Sequence, residues 1–143
     1  MQKLLFSLIF FVMFTALVGC IPTTRTYSVS VRNDAAEPMT VWLTKDGPPA
    51  EAGWLSPEQI VINGMVKSMP IGAVVPAGKT ADMVPVDGKF HSGTNAVLRV
   101  YRGQKLFDNL LAIGSGSPNR TDVMLEPGEN LIVVDKTGKS HRQ

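Results

Sequence analysis

Short runs of β-forming residues recur along the chain at intervals of about ten residues, and turn-forming residues separate them. In the first run, Tyr27, Val29 and Val31 alternate with polar residues, which is the period of a strand with one buried face. A second run covers residues 40–44, and we expect the two runs to pair as a hairpin. No long segment has the 3.6-residue period of an amphipathic helix. The pattern therefore limits this chain to an all-β fold.

The later part of the chain continues this pattern. Residues 96–101 form the most regular strand candidate, residues 106–113 form another, and Pro85 places residues 83–86 at a sheet edge or a bulge. In residues 126–129 a glycine stands third, as a type II turn requires. We predict an antiparallel β-sandwich of about seven to nine short strands, immunoglobulin-like or fibronectin-like in arrangement, and a small β-barrel is the alternative.

Residues 46–72 interrupt the strand pattern because prolines and glycines are spread through them. Residues 56–59 carry an N-cap serine, a proline at the first helical position and a glutamine at N3, which together predict a helix start. The β-branched residues that follow disfavour a long helix, so we expect one or two turns and then a short strand at residues 65–66. Since loops on rigid scaffolds often bind partners, we expect any partner surface in this insertion.

The N-terminal segment differs in composition from the rest of the chain. Lys3 precedes an apolar run of 14 residues from Leu4 to Leu17. A helix that spans a bilayer needs about 20 apolar residues, so this run is too short for that role. A basic residue, a short apolar run and small residues in this order indicate a signal peptide.

The end of this segment, Leu17-Val18-Gly19-Cys20, resembles the lipobox of bacterial lipoproteins. The resemblance implies that the bond between Gly19 and Cys20 is cleaved, that the Cys20 sulfur carries a diacylglycerol thioether, and that the new amino group is acylated. In Gram-negative lipoproteins an Asp at the next position commonly signals retention in the inner membrane. Ile21 stands there instead, which implies the outer membrane where the cell has one. An ordinary secretory signal or an N-terminal membrane anchor with an incidental cysteine is the alternative.

The domain boundaries follow from these patterns. We expect a signal peptide at residues 1–19, a lipidated tether at 20–25, the sandwich at 26–135, and a polar tail at 136–143 that frays. Without the leader and its Lys3, the chain has 13 basic and 12 acidic side chains, which excludes a nucleic-acid binder that acts through a basic face. The single cysteine excludes a disulfide framework or a cysteine metal cluster.

The two tryptophans are the candidate partner-binding residues, because aromatic side chains often anchor interfaces. Trp42 stands between two threonines in a strand run, so its indole lies either in the core or on an exposed contact face. Trp54 lies in the insertion, where it either fastens the insertion to the sandwich or is displayed to a partner.

Few side chains are suited to catalysis. His91 is the one candidate imidazole, since His141 lies in the polar tail, and Asp87 and Asp82 are the acids nearest to it in sequence. Regular strand alternation would place these two aspartates on opposite faces. Residues 114–117 lack the Gly-x-Ser-x-Gly pattern of a nucleophile elbow. We therefore expect neither a catalytic site nor a bound metal or cofactor.

These observations together predict a lipid-anchored protein of the bacterial cell envelope that acts as a structural or binding module. Its partners would be the membrane, through the lipid anchor, and another envelope protein or a polysaccharide. One alternative is an accessory factor in envelope protein assembly or export, which would lend a strand edge to its clients. The other is a small hydrolase or metal-dependent enzyme that uses His91.

Overall fold

A computed structural model of the chain describes residues 21–63 and 72–143. These residues contain nine strands and two short helices. The strands are β1 (Thr23–Asn33), β2 (Met39–Lys45), β3 (Gly72–Val75), β4 (Thr80–Asp82), β5 (Val86–Phe90), β6 (Ala96–Arg102), β7 (Arg120–Met124), β8 (Gly128–Val134) and β9 (Ser140–Arg142). The helices are α1 (Pro57–Asn63) and α2 (Phe107–Leu111).

The strands form two sheets that pack face to face, which confirms the predicted all-β sandwich. Sheet A has the order β4-β1-β8-β9, and β5 pairs with the first half of β1 beside β4. Sheet B has the order β3-β2-β6-β7 and is antiparallel throughout. The pairing of β1 with β8 is parallel, so sheet A is mixed. The described strands do not close into the alternative barrel.

The main core lies between the sheets and is formed mostly by alternate residues of four strands. These are Tyr27, Val29 and Val31 of β1, Met39, Val41 and Leu43 of β2, Ala96, Leu98 and Val100 of β6, and Ile132 and Val134 of β8. Burial of each large aliphatic side chain contributes about 1.5–3 kcal/mol. Every residue of β2 is buried, because a second apolar cluster covers the outer face of sheet B.

The predicted start of the first helix is confirmed. The Ser56 backbone N–H donates to the Gln59 side-chain oxygen at 2.9 Å, and the Gln59 N–H donates to the Ser56 hydroxyl at 3.3 Å. This reciprocal pair is a capping box, and α1 is 7 residues long, which is two turns as expected. The strand predicted at residues 65–66 lies outside the described residues.

The predicted hairpin of the first two strands is wrong, because β1 belongs to sheet A and β2 to sheet B. The short link of residues 34–38 crosses between the sheets, and the buried Asn33 side chain fixes it by accepting from the Ala35 N–H at 3.0 Å. The strand predicted at residues 106–113 is also wrong. Leu106, Phe107 and Leu110 have helical spacing, and the segment forms α2.

The sandwich also extends further at both chain ends than the sequence predicts. Residues 23–25 of the predicted tether already belong to β1, where Thr23 pairs with Phe90. Within the segment expected to fray, β9 pairs antiparallel with β8, and Val133 lies opposite His141. A tight turn at residues 135–139 returns the chain to sheet A, since the Asp135 N–H donates to the Lys139 carbonyl at 2.9 Å. Backbone pairing therefore holds segments whose side chains are polar.

The sandwich has two ends, which we call the lower end and the upper end. The lower end is where β1 begins, and it contains the loops of residues 46–55 and 91–95. A hydrogen bond joins these two loops, since the Asp46 N–H donates to the Asn95 carbonyl at 3.1 Å. The upper end contains the turns of residues 34–38, 76–79 and 135–139. There the Asn33 N–H donates to the Lys79 carbonyl at 2.9 Å.

Candidate functional site

The predicted cleavage and lipidation residues, Gly19 and Cys20, lie outside the described residues. The chain immediately after them is described. β1 begins at Thr23, whose hydroxyl donates to the Phe90 carbonyl at 3.4 Å in addition to the backbone pairing of the two residues. Only Ile21 and Pro22 therefore separate Cys20 from a paired strand, and this part of the tether is much shorter than the sequence predicts.

Trp54 fastens the insertion to the lower end of the sandwich. Its side chain is buried, at 3% exposure, and its ring packs edge-on against Tyr27 at 5.6 Å and Phe90 at 5.3 Å between centroids. The indole N–H donates to the Asp87 carbonyl at 2.8 Å. A Cβ atom at Gly88 would lie 2.8 Å from this indole, so only glycine leaves room for it. Trp54 is thus not displayed to a partner.

Lys45 is a buried cation beside the same aromatic rings. Its side chain is 3% exposed, and its ammonium lies 4.6 Å from the centroid of the Phe90 ring and 5.4 Å from that of Trp54. It donates to the Lys89 carbonyl at 2.7 Å and also to the Glu51 carboxylate. Because all these groups surround it, the ammonium is occupied within the fold and does not offer a free anion-binding site.

Glu51 completes this arrangement by joining the insertion to two strands. Its carboxylate accepts from the Lys45 ammonium and from the Lys89 backbone N–H, the latter at 2.8 Å. Burial raises the pKa of Glu51, but these hydrogen bonds and the two lysine charges outweigh burial and hold the pKa below its usual value. The ionised carboxylate therefore stabilises the loop at neutral pH.

Trp42 lies on the outer face of sheet B, which is neither the core between the sheets nor an exposed face. It is 5% exposed, and its indole N–H donates to the Leu55 carbonyl at 3.0 Å. Its ring packs at 5.8 Å from that of Phe107 in α2, and the second apolar cluster surrounds it. The Trp42 side chain thus holds the segments around α1 and α2 on the sheet, and little of it is left for a partner to contact directly.

An apolar groove of about 320 Å³ opens beside Trp42, between β3 and α2. Leu106, at 75% exposure, and Val74, at 40%, are large apolar side chains that reach solvent near it. We call this surface the Trp42 groove; its main lining residues are Thr40, Trp42, Val74, Lys105, Phe107 and Leu110. Sequence reasoning missed it because residues 106–113 were expected to be a strand, although the helical spacing of their leucines was a usable signal.

A row of charged side chains lies on the outer face of sheet B next to the second cluster. Arg99 donates to both carboxylate oxygens of Glu58 at 2.8 and 3.0 Å, and Arg120 donates to both of Asp122 at 2.6 and 2.7 Å. Burial raises the pKa of Glu58, but the hydrogen bonds from Arg99 and other groups outweigh it, so the pKa lies below its usual value. Each guanidinium has its own carboxylate, which favours a structural role for the row.

Tyr101 lies beneath this row. Its hydroxyl is buried, and it has no hydrogen-bond partner in the described part of the chain. Burial raises the pKa of Tyr101, and the neighbouring Arg99 opposes that rise. The phenol therefore stays protonated at neutral pH and acts as part of the apolar cluster.

The residues that the hydrolase alternative requires do not come together. His91 is half-buried in a lower-end loop, and no hydrogen bond or ion pair joins its imidazole to another group in the described residues. Asp87 and Asp82 accept from the hydroxyls of Thr26 and Ser30 at 2.6 Å each. The two aspartates share the outer face of sheet A, so the expectation of opposite faces is wrong. The irregular link between β4 and β5 resets the alternation.

Metal-binding clusters and membrane-spanning helices are both lacking in the part of the chain that the structure describes. No group of three or more His, Cys, Asp or Glu side chains in residues 21–63 and 72–143 is arranged to hold a metal ion. Neither described helix has the length and hydropathy needed to cross a membrane.

Comparison of the chain with protein-family models, with curated proteins and with solved structures finds no match. The function must therefore be argued from the residues and their geometry.

Proposed function

We propose that this chain is a lipid-anchored protein of the bacterial cell envelope whose sandwich acts as a structural or binding module. The observation that carries the proposal is the sequence Leu17-Val18-Gly19-Cys20 at the end of a 14-residue apolar run. Cys20 is the chain's single cysteine, so its thiol has one evident use. Each methylene of an acyl chain contributes about 0.8 kcal/mol in a bilayer, and two or three chains hold a domain there stably.

The short distance from Cys20 to β1 supports this proposal. Because the acyl chains enter the bilayer and the peptide does not, a folded domain can begin directly after a lipidated cysteine. Ile21 and Pro22 form the link between Cys20 and β1. The residue directly after Cys20 is thus Ile21 and not the Asp that would favour the inner membrane. We therefore propose the outer membrane as the location where the cell has one.

The Trp42 groove supports a protein partner over a polysaccharide. Sugars commonly stack on open aromatic faces, whereas both indoles of this chain are buried. Leu106 and Val74 instead expose aliphatic surface beside an apolar groove, which suits the side chains of another envelope protein.

The lengths of the edge strands favour a module over an accessory factor that lends a strand. In the described part of the chain, the strands at the sheet edges are only three to five residues long. Strand addition relies on a row of free backbone groups, and such short edges offer few of them. The hydrolase alternative has no observation in its favour, since His91 contacts neither Asp87 nor Asp82.

The test compares the wild-type chain with Cys20→Ser, both expressed at full length in bacteria. We expect the wild type to begin at Cys20, to carry the added mass of acyl chains, and to leave the membrane fraction only with detergent. Cys20→Ser should keep its leader and lack acyl mass, while the control Thr24→Ser, a similarly small change four residues later, should behave like the wild type. An acylated Cys20→Ser, or a wild type with its leader intact and no fatty acid, would refute the proposal.

A further inference from the structure

The link between the anchor and the first strand is too short to let the domain move away from the bilayer. Thr23 is three residues after Cys20, so their Cα atoms are at most about 11 Å apart. Pro22 restricts the link further, because its ring fixes one backbone dihedral. Thr23 cannot be drawn away from the lower end without breaking its pairing with Phe90 of β5.

The turn that follows Phe90 lies at the same level of the sandwich as Thr23. It leads through His91 and the exposed Ser92 into β6. The Thr94 hydroxyl donates to the Pro48 carbonyl at 3.1 Å, so the loop of residues 46–55 lies at this level too. The lower end is therefore the part of the domain that the anchor holds next to the headgroups.

The side chains near Thr23 suit a headgroup layer. Ile21 is 74% exposed and would immerse apolar surface beside the acylated cysteine. The Arg25 guanidinium lies 5.6 Å from the centroid of the Phe90 ring, and the Lys89 side chain is exposed on the neighbouring strand. Long basic side chains of this kind keep an apolar stem near the bilayer and extend their charge to lipid phosphates. Asp46 is an acid at the same end, and its carboxylate is already hydrogen-bonded within the fold, since it accepts from the Asn95 backbone N–H at 2.6 Å and from the Asn95 side-chain amide at 2.9 Å.

The broad outer face of sheet A is a poor alternative contact surface. It presents the carboxylates of Asp82, Asp87 and Glu129 together with the basic side chains of Arg32 and Lys89, among serine and threonine hydroxyls. The charges of this face nearly cancel, so an anionic leaflet does not attract the domain to lie flat on it.

We propose that the lower end of the sandwich rests on anionic phospholipid headgroups and that β1 rises from the bilayer towards the upper end. This inference rests on the lipid anchor proposed above. β1 has 11 residues, which places the upper-end turns about 33 Å further out. The Trp42 groove then stays open to the aqueous space, because Val74 pairs with Thr40 near the upper-end start of β2.

The test uses single cysteines as labelling sites, since acylation blocks the thiol of Cys20. Ser92→Cys reports the lower end, Lys136→Cys the upper end, and Ser28→Cys the outer face of sheet A. Each lipidated variant carries one fluorophore and is reconstituted into vesicles of phosphatidylethanolamine and phosphatidylglycerol with a headgroup nitroxide, which quenches only at short range. Melting temperatures equal to that of the wild type show that the labelled variants are folded.

We expect several-fold stronger quenching at Ser92→Cys than at Lys136→Cys or Ser28→Cys, and a flexible Gly/Ser insertion between Pro22 and Thr23 should reduce it. Equal quenching at the two ends, or the strongest quenching at Ser28→Cys, would overturn the orientation. The mass of each sample separates the two proposals. An acylated protein without the quenching difference defeats only the orientation, whereas a protein without acyl chains defeats both.

Discussion

Asn33 is the residue at which a single substitution should most disturb the upper end of the sandwich. It is fully buried at the end of β1. Its side-chain amide donates to the carbonyls of Glu37 at 2.9 Å, Val75 at 3.1 Å and Pro76 at 3.3 Å, and its oxygen accepts from the Ala35 N–H. One side chain thus connects the link between β1 and β2 to the turn that follows β3.

The expected loss of stability for Asn33→Ala follows from the groups that it leaves without partners. The Ala35 N–H and the Val75 carbonyl take part in the two bonds that are buried. The Val75 carbonyl keeps its backbone pairing with Met39, so its lost bond costs about 0.5–1.5 kcal/mol. The Ala35 N–H is left unpaired, which costs about 1–3 kcal/mol, and together these losses lower the free energy of unfolding by about 3 kcal/mol. For a domain of this size, that corresponds to a fall of about 12 °C in melting temperature.

The assay is urea unfolding and differential scanning calorimetry of the purified protein. Asn119→Ala is the matched control, because Asn119 is exposed and its side chain makes no hydrogen bond in the described structure. We expect the control to unfold within about 0.5 kcal/mol of the wild type. If Asn33→Ala were no less stable than Asn119→Ala, the assignment of Asn33 as the connection between these turns would be wrong.

Three further predictions concern glycine positions and acid stability. Gly88→Ala should lower the melting temperature, because the new methyl would lie 2.8 Å from Trp54 and overpacking of this kind costs about 1–3 kcal/mol; an unchanged melting temperature would contradict that contact. Gly128→Val should destabilise the turn before β8 by about 1–3 kcal/mol in urea unfolding, because Gly128 has a φ of 98°; equal urea midpoints would argue against this backbone geometry. The lowered pKa values of Glu51 and Glu58 add stability that is complete above their usual value of 4.5 and is lost as the pH falls below it. A Glu51→Gln, Glu58→Gln double variant should therefore show a smaller fall in its urea midpoint between pH 5 and pH 3 than the wild type. Parallel curves of midpoint against pH for the two proteins would refute this.

The fold class could be predicted because its signals are local. The alternation of Tyr27, Val29 and Val31 identifies the buried face of β1, and the positive φ of Gly128 agrees with the turn predicted from residues 126–129. The capping box at Ser56 was equally readable, since all of its groups lie within four residues.

Strand partners could not be predicted in the same way. A short link between two strands is compatible both with a hairpin and with a crossing from one sheet to the other. At residues 34–38 the crossing is stabilised by hydrogen bonds from Asn33 to β3 and to the turn after it, which are distant in sequence. The strand β9 depends likewise on backbone pairing with β8, which no side-chain pattern in residues 140–142 announces.

In the candidate site, too, the local features could be predicted from the sequence and the features that depend on tertiary contacts could not. The lipobox of bacterial lipoproteins is a linear motif, so the resemblance of Leu17 to Cys20 to it needs no structure and remains a prediction. The burial of Trp54 depends on the absence of a side chain at Gly88, which is 34 residues away. The Trp42 groove requires β3 and α2 to meet on one sheet face, and that meeting cannot be read from either segment alone.

The contacts of β1 show how a force applied through the proposed lipid anchor would reach the whole domain. A pull on Cys20 acts first on the pairing of Thr23 with Phe90 in sheet A. Phe90 packs against Trp54, whose carbonyl accepts from the Thr44 hydroxyl of sheet B at 2.9 Å. Lys45 of the same strand donates to the carbonyl of Lys89, next to Phe90. The insertion therefore ties the two sheets together beside the start of β1, so a force on the first strand through the proposed anchor would be shared by both sheets.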